Sequence, residues 1–189
     1  MTRVRPIVRV TRVAGVSAIV SAIGMTTLLG IAPAGAGAHV AAGDVTAGPV
    51  RRVAVVAPGW RRDMLGRINA LRAAAGVTPL KPCPALRRSA QEYATVMSTR
   101  DHYGHIGPDG SQPVERMLRE GYRWRAVAEN IAAGQRTIAE VVEAWVESPG
   151  HYANLVNPAY RHVGLGHGSS EGSEYGDYWV QNLGRGRGC

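Results

Sequence analysis

The chain has 189 residues, of which 45% are hydrophobic and 19% are charged, and its formal net charge is +8 at pH 7. This length and apolar content are enough for one domain with its own core, together with a leader. The composition excludes a disordered or repetitive chain.

The first 38 residues have the three parts of a secretory signal peptide. Four arginines lie within the first twelve residues, an apolar run spans residues 13–32, and small residues then predict cleavage after Ala36 or Ala38. A retained N-terminal membrane anchor is the alternative, because the apolar run approaches the length of a membrane span. We expect a secreted, extracellular protein that keeps no membrane span after the leader is cleaved.

The charge balance also depends on this leader. Its removal takes away four arginines and no acidic residue, so the formal charge falls from +8 to +4. A modest positive charge suits weak attraction to anionic cell-wall polymers or lipid surfaces. No dense basic helix or aromatic stacking motif is evident, and we therefore predict no nucleic-acid binding.

The mature chain is predicted to begin with a flexible linker. Residues 39–59 consist largely of Ala, Gly, Val and Arg, without helical periodicity and with a Gly-Pro pair. Residues 60–189 are expected to form the folded domain.

Helical periodicity predicts three helices in the first half of this domain. The first carries an apolar stripe of Met64, Ile68, Leu71 and Ala75 and stops at Gly76, and the second opens at Pro84. A turn-rich loop over residues 101–110 follows. Pro113 then starts a short helix with Val114, Met117 and Leu118 inward, which Gly121 ends in the left-handed conformation.

The second half is predicted to contain one more helix and a hairpin. Residues 122–134 suggest a short strand or a loop through the interior. A capping box of Thr137 and Glu140 begins a helix that ends at residues 148–150. Two β segments, 163–167 and 177–183, then flank a polar loop over residues 168–176. Apolar residues on both faces of the last strand predict helices on both sides of the sheet.

Cys83 and Cys189 are the only cysteines, and export favours an oxidising compartment. We predict a disulfide that ties the chain end to the loop before the second helix. The closed loop of 106 residues (189 − 83) would stabilise the fold by about 4 to 5 kcal/mol in the chain-entropy model. Two free or intermolecular thiols are the alternative, because a terminal cysteine after a glycine-rich segment is mobile.

One group of residues has metal-binding or acid–base potential. Zinc needs neutral imidazole nitrogens and further ligands, so two histidines from separate loops and one carboxylate could form an open site. The alternatives are solvated loop histidines and a buried carboxylate bonded to backbone amides. The zincin, phosphate-loop and nucleophile-elbow motifs are absent. The candidates are His102, His105, Glu129 and His151, with His162 and His167 as secondary candidates.

Six short motifs point to a known family. Together, and in this order, they resemble the CAP superfamily of cysteine-rich secretory, antigen 5 and pathogenesis-related proteins, in particular its compact bacterial secreted branch. The resemblance covers about residues 62 to 184. The motifs are Ile68-Asn69-x-x-Arg72-x-x-x-Gly76-x-x-Pro79-Leu80, Gly104-His105-x-Gly-Pro-Asp-Gly110, Ala128-Glu-Asn-Ile-Ala132, Trp145-x-x-Ser-Pro-Gly-His151-x-x-Asn154, Val163-Gly-Leu-Gly166 and Tyr178-Trp-Val-Gln181.

The resemblance implies an α+β fold, a three-layer α-β-α sandwich with a small central, mainly antiparallel sheet. Family members carry two histidines and two glutamates in a central cleft, and some bind zinc or another divalent ion. On that pattern His105, Glu129 and His151 take three of the four positions, as metal ligands. The fourth position holds Ser148. We expect a three-ligand site completed by water or Ser148.

Two nearby glutamates are candidates for the missing acidic position. Glu147 lies one residue before Ser148, and Glu143 lies a turn earlier. One residue along a helix rotates a side chain by about 100°, so position alone does not place Glu147 in the cleft. Replacement of the second family glutamate by Glu147, by Glu143 or by neither stays open.

The leading functional hypothesis is a secreted, non-enzymatic binding module for an extracellular lipid, a sterol-like molecule or a cell-wall component. A cell-envelope hydrolase is the second hypothesis, either metal-assisted or with Ser148, His151 and Glu129 as catalytic groups. Ser148 is equally explained as a turn residue before Pro149. A third hypothesis is a disulfide-closed scaffold that binds a protein partner through surface loops, above all residues 168–176.

Overall fold

The computed structural model describes residues 56–189. The predicted signal peptide, and the predicted linker as far as residue 55, lie outside the described residues. The helices in the described range are α1 (Trp60–Ala74), α2 (Pro84–Arg100), α3 (Pro113–Arg119), α4 (Ile138–Glu147) and α5 (Pro149–Leu155). The strands are β1 (Lys81–Pro82), β2 (Arg123–Ala133), β3 (His162–Ser169) and β4 (Asp177–Arg187).

The strands form one sheet in the order β1-β3-β4-β2. β4 pairs antiparallel with both β2 and β3, and the two-residue strand β1 pairs parallel with β3. The sheet is therefore small and mainly antiparallel, as predicted.

The helices cover both faces of this sheet, which confirms the three-layer α-β-α arrangement. α1, α4 and α5 pack on one face, in a core that includes Trp145, Trp179 and Leu183. α2 packs on the other face against Tyr178 and Val180. The alternation along β4 thus sends successive side chains into different cores, as period-2 geometry requires.

Glycines in β3 allow α2 to lie directly on the strand. A Cβ added at Gly164, Gly166 or Gly168 would overlap the α2 backbone at Leu86, Ala90 and Ala94 in turn. These glycines recur every second residue and so share one face of the strand. Their missing side chains are what permits the close approach of helix and strand.

Three elements differ from the sequence-based expectation. Residues 123–133 form an eleven-residue edge strand instead of a short strand or loop. Its exposure changes along the strand instead of alternating, because its first three residues are exposed and residues 129–132 are buried. α5 was not predicted, since Pro149 was interpreted only as a stop, although proline is favoured in the first turn of a helix. β1 is too short to leave a sequence pattern.

The predicted disulfide is confirmed. Cys83 and Cys189 are bonded with their Cα atoms 4.7 Å apart, which excludes the alternative of free thiols. Cys83 is the residue immediately before α2, and Cys189 follows β4. The C-terminal segment is therefore fixed to the start of α2.

Arg72 of α1 connects the first helix to the segment after α5. Its side chain is fully buried and donates to four backbone carbonyls. Nε bonds Thr78 at 2.9 Å, Nη1 bonds Leu155 at 2.6 Å and Asn157 at 3.1 Å, and Nη2 bonds Tyr160 at 3.2 Å. Burial lowers the pKa of Arg72 from its ordinary value. The guanidinium thus bonds the last carbonyl of α5, that of Leu155, and also ties α1 to the segment that follows α5.

Candidate functional site

The centre of the candidate site is a hydrogen bond between His105 and Glu129. Glu129 lies on β2 with its side chain 2% exposed, whereas the His105 side chain, on the loop after α2, is 50% exposed. The distance from His105 Nδ1 to Glu129 Oε1 is 3.0 Å. The structure thus brings together two of the three residues predicted as metal ligands.

Arg116 of α3 is the principal partner of Glu129 and was not predicted. Its Nη2 donates to Oε1 at 3.1 Å and to Oε2 at 3.0 Å, and both side chains are buried. Asn182 of β4 is a further partner. When its side-chain amide is oriented so that both the oxygen and the nitrogen have partners, the nitrogen donates to Glu129 Oε2 at 3.2 Å. The expected backbone-amide partners of a buried Glu129 are therefore replaced by side chains.

The inward position of Arg116 corrects the predicted orientation of α3. Leu118 was expected to face the core but is 38% exposed, whereas Arg116 is buried. A seven-residue helix has fewer than two complete turns and gives too little periodicity to define its inner face. The sequence contained one indirect sign that Arg116 is buried: it lies 13 residues before Glu129, for which a buried carboxylate was one expectation.

The loop that carries His105 is held on both sides of the histidine. Arg116 Nη2 donates to the carbonyl of His105 at 3.0 Å, and the hydroxyl of Tyr93 donates to the carbonyl of Gly104. Burial raises the pKa of Tyr93 to about 12, so this phenol is a protonated donor at neutral pH. The Arg116 guanidinium also stacks on the Tyr93 ring, 3.4 Å from its centroid. The position of the imidazole is therefore set by buried groups.

His151 reaches the same region from α5. Its carbonyl accepts from Asn130 Nδ2 at 3.2 Å, and the same amide group donates to Gln181 at 2.9 Å and accepts from Asn154 at 2.9 Å. This network joins α5 to β2 beside Glu129, and Asn130 and Asn154 are structural links within it. Burial, followed by the nearby His105, lowers the pKa of His151. The His151 imidazole is consequently neutral at pH 7.

The described residues contain no preformed three-ligand metal centre. Between residues 56 and 189, no three side chains of His, Cys, Asp or Glu come together in a way that could hold a metal ion. Both oxygens of Glu129 already accept from Arg116, and a guanidinium beside a carboxylate disfavours a second cation. Glu143 and Glu147 are exposed on α4 and form no ion pair in this part of the chain. Both oxygens of Glu129 are therefore engaged by Arg116, and the carboxylate is placed to orient His105.

Ser148 lies at the junction of two helices, as the C-cap of α4 and the N-cap of α5. Its carbonyl accepts from the backbone N–H of Tyr152 at 2.8 Å. In the described structure its hydroxyl makes no hydrogen bond to His151. These contacts are those of a turn residue, which is the alternative role that the sequence suggested for Ser148.

The other three candidate histidines lie outside the Glu129 cluster. His102 Nε2 bonds the carbonyl of Ile106 at 2.7 Å. The remaining two lie on β3 and bond buried side chains: His162 contacts Tyr122, which precedes β2, at 2.9 Å, and His167 contacts Asp177 of β4 at 2.7 Å.

None of the helices within residues 56–189 has the length and apolar character needed to cross a membrane.

Residues 65–183 match the model of the CAP family, which is described as "Cysteine-rich secretory protein family". The chain belongs to the CAP family. A relative supports this assignment: the uncharacterized protein YkwD of Bacillus subtilis (strain 168) is 35% identical over 124 residues, which cover 66% of this CAP chain. The chain spans 46% of the length of that relative.

Solved structures share the fold of this CAP domain. An outer surface protein of Borrelia burgdorferi matches with a TM-score of 0.63 and 22% identity, over 69% of this chain and 95% of that one. An extracellular protein of Bacillus anthracis that contains an SCP domain matches with a TM-score of 0.58 and 23% identity, over 66% and 39% of the two chains. The resemblance inferred from the six motifs is confirmed.

Proposed function

We propose that this CAP protein is a secreted, non-enzymatic binding module. Its cleft takes up zinc or another divalent cation between His105 and His151, and it engages an extracellular lipid, a sterol-like molecule or a cell-wall component. Secretion is supported by the signal-peptide pattern and by the extracellular relative from Bacillus anthracis.

The observation that carries this proposal is the geometry of His105. Its Nδ1 lies 3.0 Å from Glu129, which leaves Nε2 on the half-exposed side of the ring as the ligand atom. Metal-binding histidines commonly donate their other nitrogen to a carboxylate, which fixes the ring and raises its basicity. Glu129 therefore acts behind the histidine, as an orienting group.

Charge and protonation support the same assignment. Arg116 offsets the negative charge of Glu129, so attraction for the cation comes from imidazole nitrogens rather than from a free carboxylate. The lowered pKa of His151 favours the neutral ring that ligation requires. With two protein ligands, the ion keeps coordination positions for water or for the extracellular ligand.

The hydrogen bonds around Ser148 and Glu129 favour a binding function over hydrolysis. A serine nucleophile requires a base within hydrogen-bond reach and a third group that orients the base. Ser148 has no such bond to His151 among the described residues, and Glu129 faces His105 instead. Peptide or peptidoglycan hydrolysis that Ser148→Ala abolishes would overturn the non-enzymatic proposal.

Zinc titration by calorimetry tests the cleft. We expect His105→Ala/His151→Ala to abolish binding and the matched variant His102→Ala, in the same loop, to retain it. Glu129→Gln should weaken binding by about 10- to 100-fold if Glu129 orients the ligand. Circular dichroism checks that each variant is folded, and equal zinc binding by the wild type and the double variant would reject the cation site.

A further inference from the structure

A second surface, where β2 begins and β4 ends, has a distinct composition. β2 begins with Arg123, Trp124 and Arg125, and β4 ends with Arg185, Gly186 and Arg187. The antiparallel register places Arg123 opposite Arg187 and Trp124 opposite Gly186. These side chains line a depression of about 470 Å³. We call the four arginines and Trp124 the basic patch.

Among the described residues, the arginines of the basic patch have no anionic partners. Within residues 56–189 none of the four guanidinium groups forms a salt bridge or a side-chain hydrogen bond, and no acidic residue lines the depression. By contrast, Arg72 and Arg116 bind several buried acceptors. Like charges directly opposite one another on neighbouring strands, such as Arg123 and Arg187, destabilise the pairing. A bound anion would relieve this repulsion.

Trp124 adds an apolar face to these charges. It is 46% exposed, whereas the other tryptophans of the described chain, Trp60, Trp145 and Trp179, are at most 8% exposed. Gly186, opposite Trp124, has no side chain, and a Cβ there would overlap the β2 backbone at Arg123, so the two strands approach each other closely at this point. An indole beside cations is suited to a ligand that carries both anionic and carbon-rich groups.

We propose that the basic patch binds a polyol-phosphate or sugar-phosphate polymer of the cell envelope. Neighbouring positions on paired strands lie about 5 to 7 Å apart, so four cations match several anions on one chain better than a single ion. Guanidinium groups bind phosphate through two parallel N–H donors. Trp124 packs against the polyol or sugar units between the phosphates.

The shape of the patch decides between possible anionic partners. A depression lined by residues of two paired strands accommodates a chain, whereas a flat membrane surface favours protruding side chains. The choice of an envelope polymer over a nucleic acid rests on the proposed secretion of this protein. The composition alone gave no sign of the patch, because strand pairing brings together residues about sixty positions apart.

The disulfide holds half of the patch in place. Cys189 follows Arg187 by two residues and is bonded to Cys83, so Arg185 and Arg187 remain fixed beside β2. Glu129 lies four residues beyond Arg125 on the same strand, roughly 13 Å away. The patch and the cleft are therefore separate surfaces that can be altered independently.

Binding of purified poly(glycerol phosphate) to the protein tests the proposal, measured by tryptophan fluorescence and calorimetry. Trp124 should dominate the fluorescence change, because the other described tryptophans are buried. We expect Arg185→Gln/Arg187→Gln to raise Kd about tenfold or more through loss of charge-assisted hydrogen bonds. Arg62→Gln/Arg67→Gln, which removes the same charge from α1, should leave Kd within about twofold. Arg185→Lys/Arg187→Lys should show an intermediate loss.

Three outcomes would overturn the inference. Equal losses in the β4 and α1 variants would mean attraction by net charge alone. Tighter binding to single-stranded DNA of equal phosphate number, or to phosphatidylglycerol vesicles, would reject the polymer as the partner. The β4 variant should still bind zinc, and His105→Ala/His151→Ala should still bind the polymer. Failure of the polymer proposal can therefore be distinguished from failure of the proposed cation site.

Discussion

Arg116 donates from one nitrogen to both carboxylate oxygens of Glu129, at 3.1 and 3.0 Å, in a buried pair that also supports His105. Its second terminal nitrogen bonds the carbonyl of Ser111 at 2.7 Å. The His105–Glu129 pair therefore depends on a buried cation from α3.

Arg116→Met should lower the free energy of unfolding by about 3 to 5 kcal/mol, because it leaves the Glu129 carboxylate buried without its main partner. Urea unfolding measures this loss. Arg119→Met, on the exposed side of the same helix, should stay within about 0.5 kcal/mol of the wild type. The double variant Arg116→Met/Glu129→Leu should recover part of the stability. A loss below about 1 kcal/mol for Arg116→Met would contradict this account.

Gly166→Ala should destabilise the fold by at least about 3 kcal/mol or prevent folding, because the new Cβ would overlap the α2 backbone at Ala90. Gly66→Ala is the matched control, since no atom lies within 4 Å of its added Cβ in the exposed part of α1. That substitution should stabilise the protein by about 0.5 to 1 kcal/mol through higher helix propensity. Thermal unfolding measures the stability of both variants. Stability changes of the same sign in both would contradict the prediction.

Loss of the disulfide in Cys83→Ser/Cys189→Ser should lower stability by about 4 to 5 kcal/mol in the chain-entropy model for a loop of this length. Urea unfolding of the wild type with and without reductant gives the same comparison without mutation. Reductant should have no effect on the double serine variant. A wild type whose stability is the same in both conditions would show that the bond constrains little.

Stability should fall as the pH drops from about 7 to 5. Burial lowers the pKa of His151, His162 and His167 in the folded state, and the contact with Asp177 only partly opposes this for His167. Because the unfolded chain binds these protons more readily, their contribution is complete above the unfolded pKa of about 6.5 and is lost below it. Urea unfolding across this range measures the slope, which His167→Gln should reduce. A stability that rises on acidification would contradict the prediction.

The sequence was sufficient for those elements that carry their own local signals. Gly76, Pro84 and Gly121 marked helix boundaries, and the Thr137–Glu140 capping box marked the start of α4, because caps and fixed backbone angles act within one turn. The disulfide followed from compartment and cysteine count. His105 and Glu129 were paired through the resemblance, since 24 residues separate them in the chain.

What the sequence did not reveal depends on contacts between distant segments. The burial of Arg116 is decided by Glu129 on another element, and the length of β2 by its pairing with β4. The basic patch likewise exists only in the register that sets Arg123 opposite Arg187. Local propensity contains no information about such pairings.

Arg72 has a consequence for how the cleft tolerates change. Its contacts after α5 are all with main-chain oxygens, at Leu155, Asn157 and Tyr160, so they do not depend on which side chains occupy those positions. They do depend on the number of residues between them. Inserting or deleting one residue in this turn would shift α5 and the imidazole of His151, although no side chain of the candidate site would change. Chain length here, rather than side-chain identity, sets the position of His151.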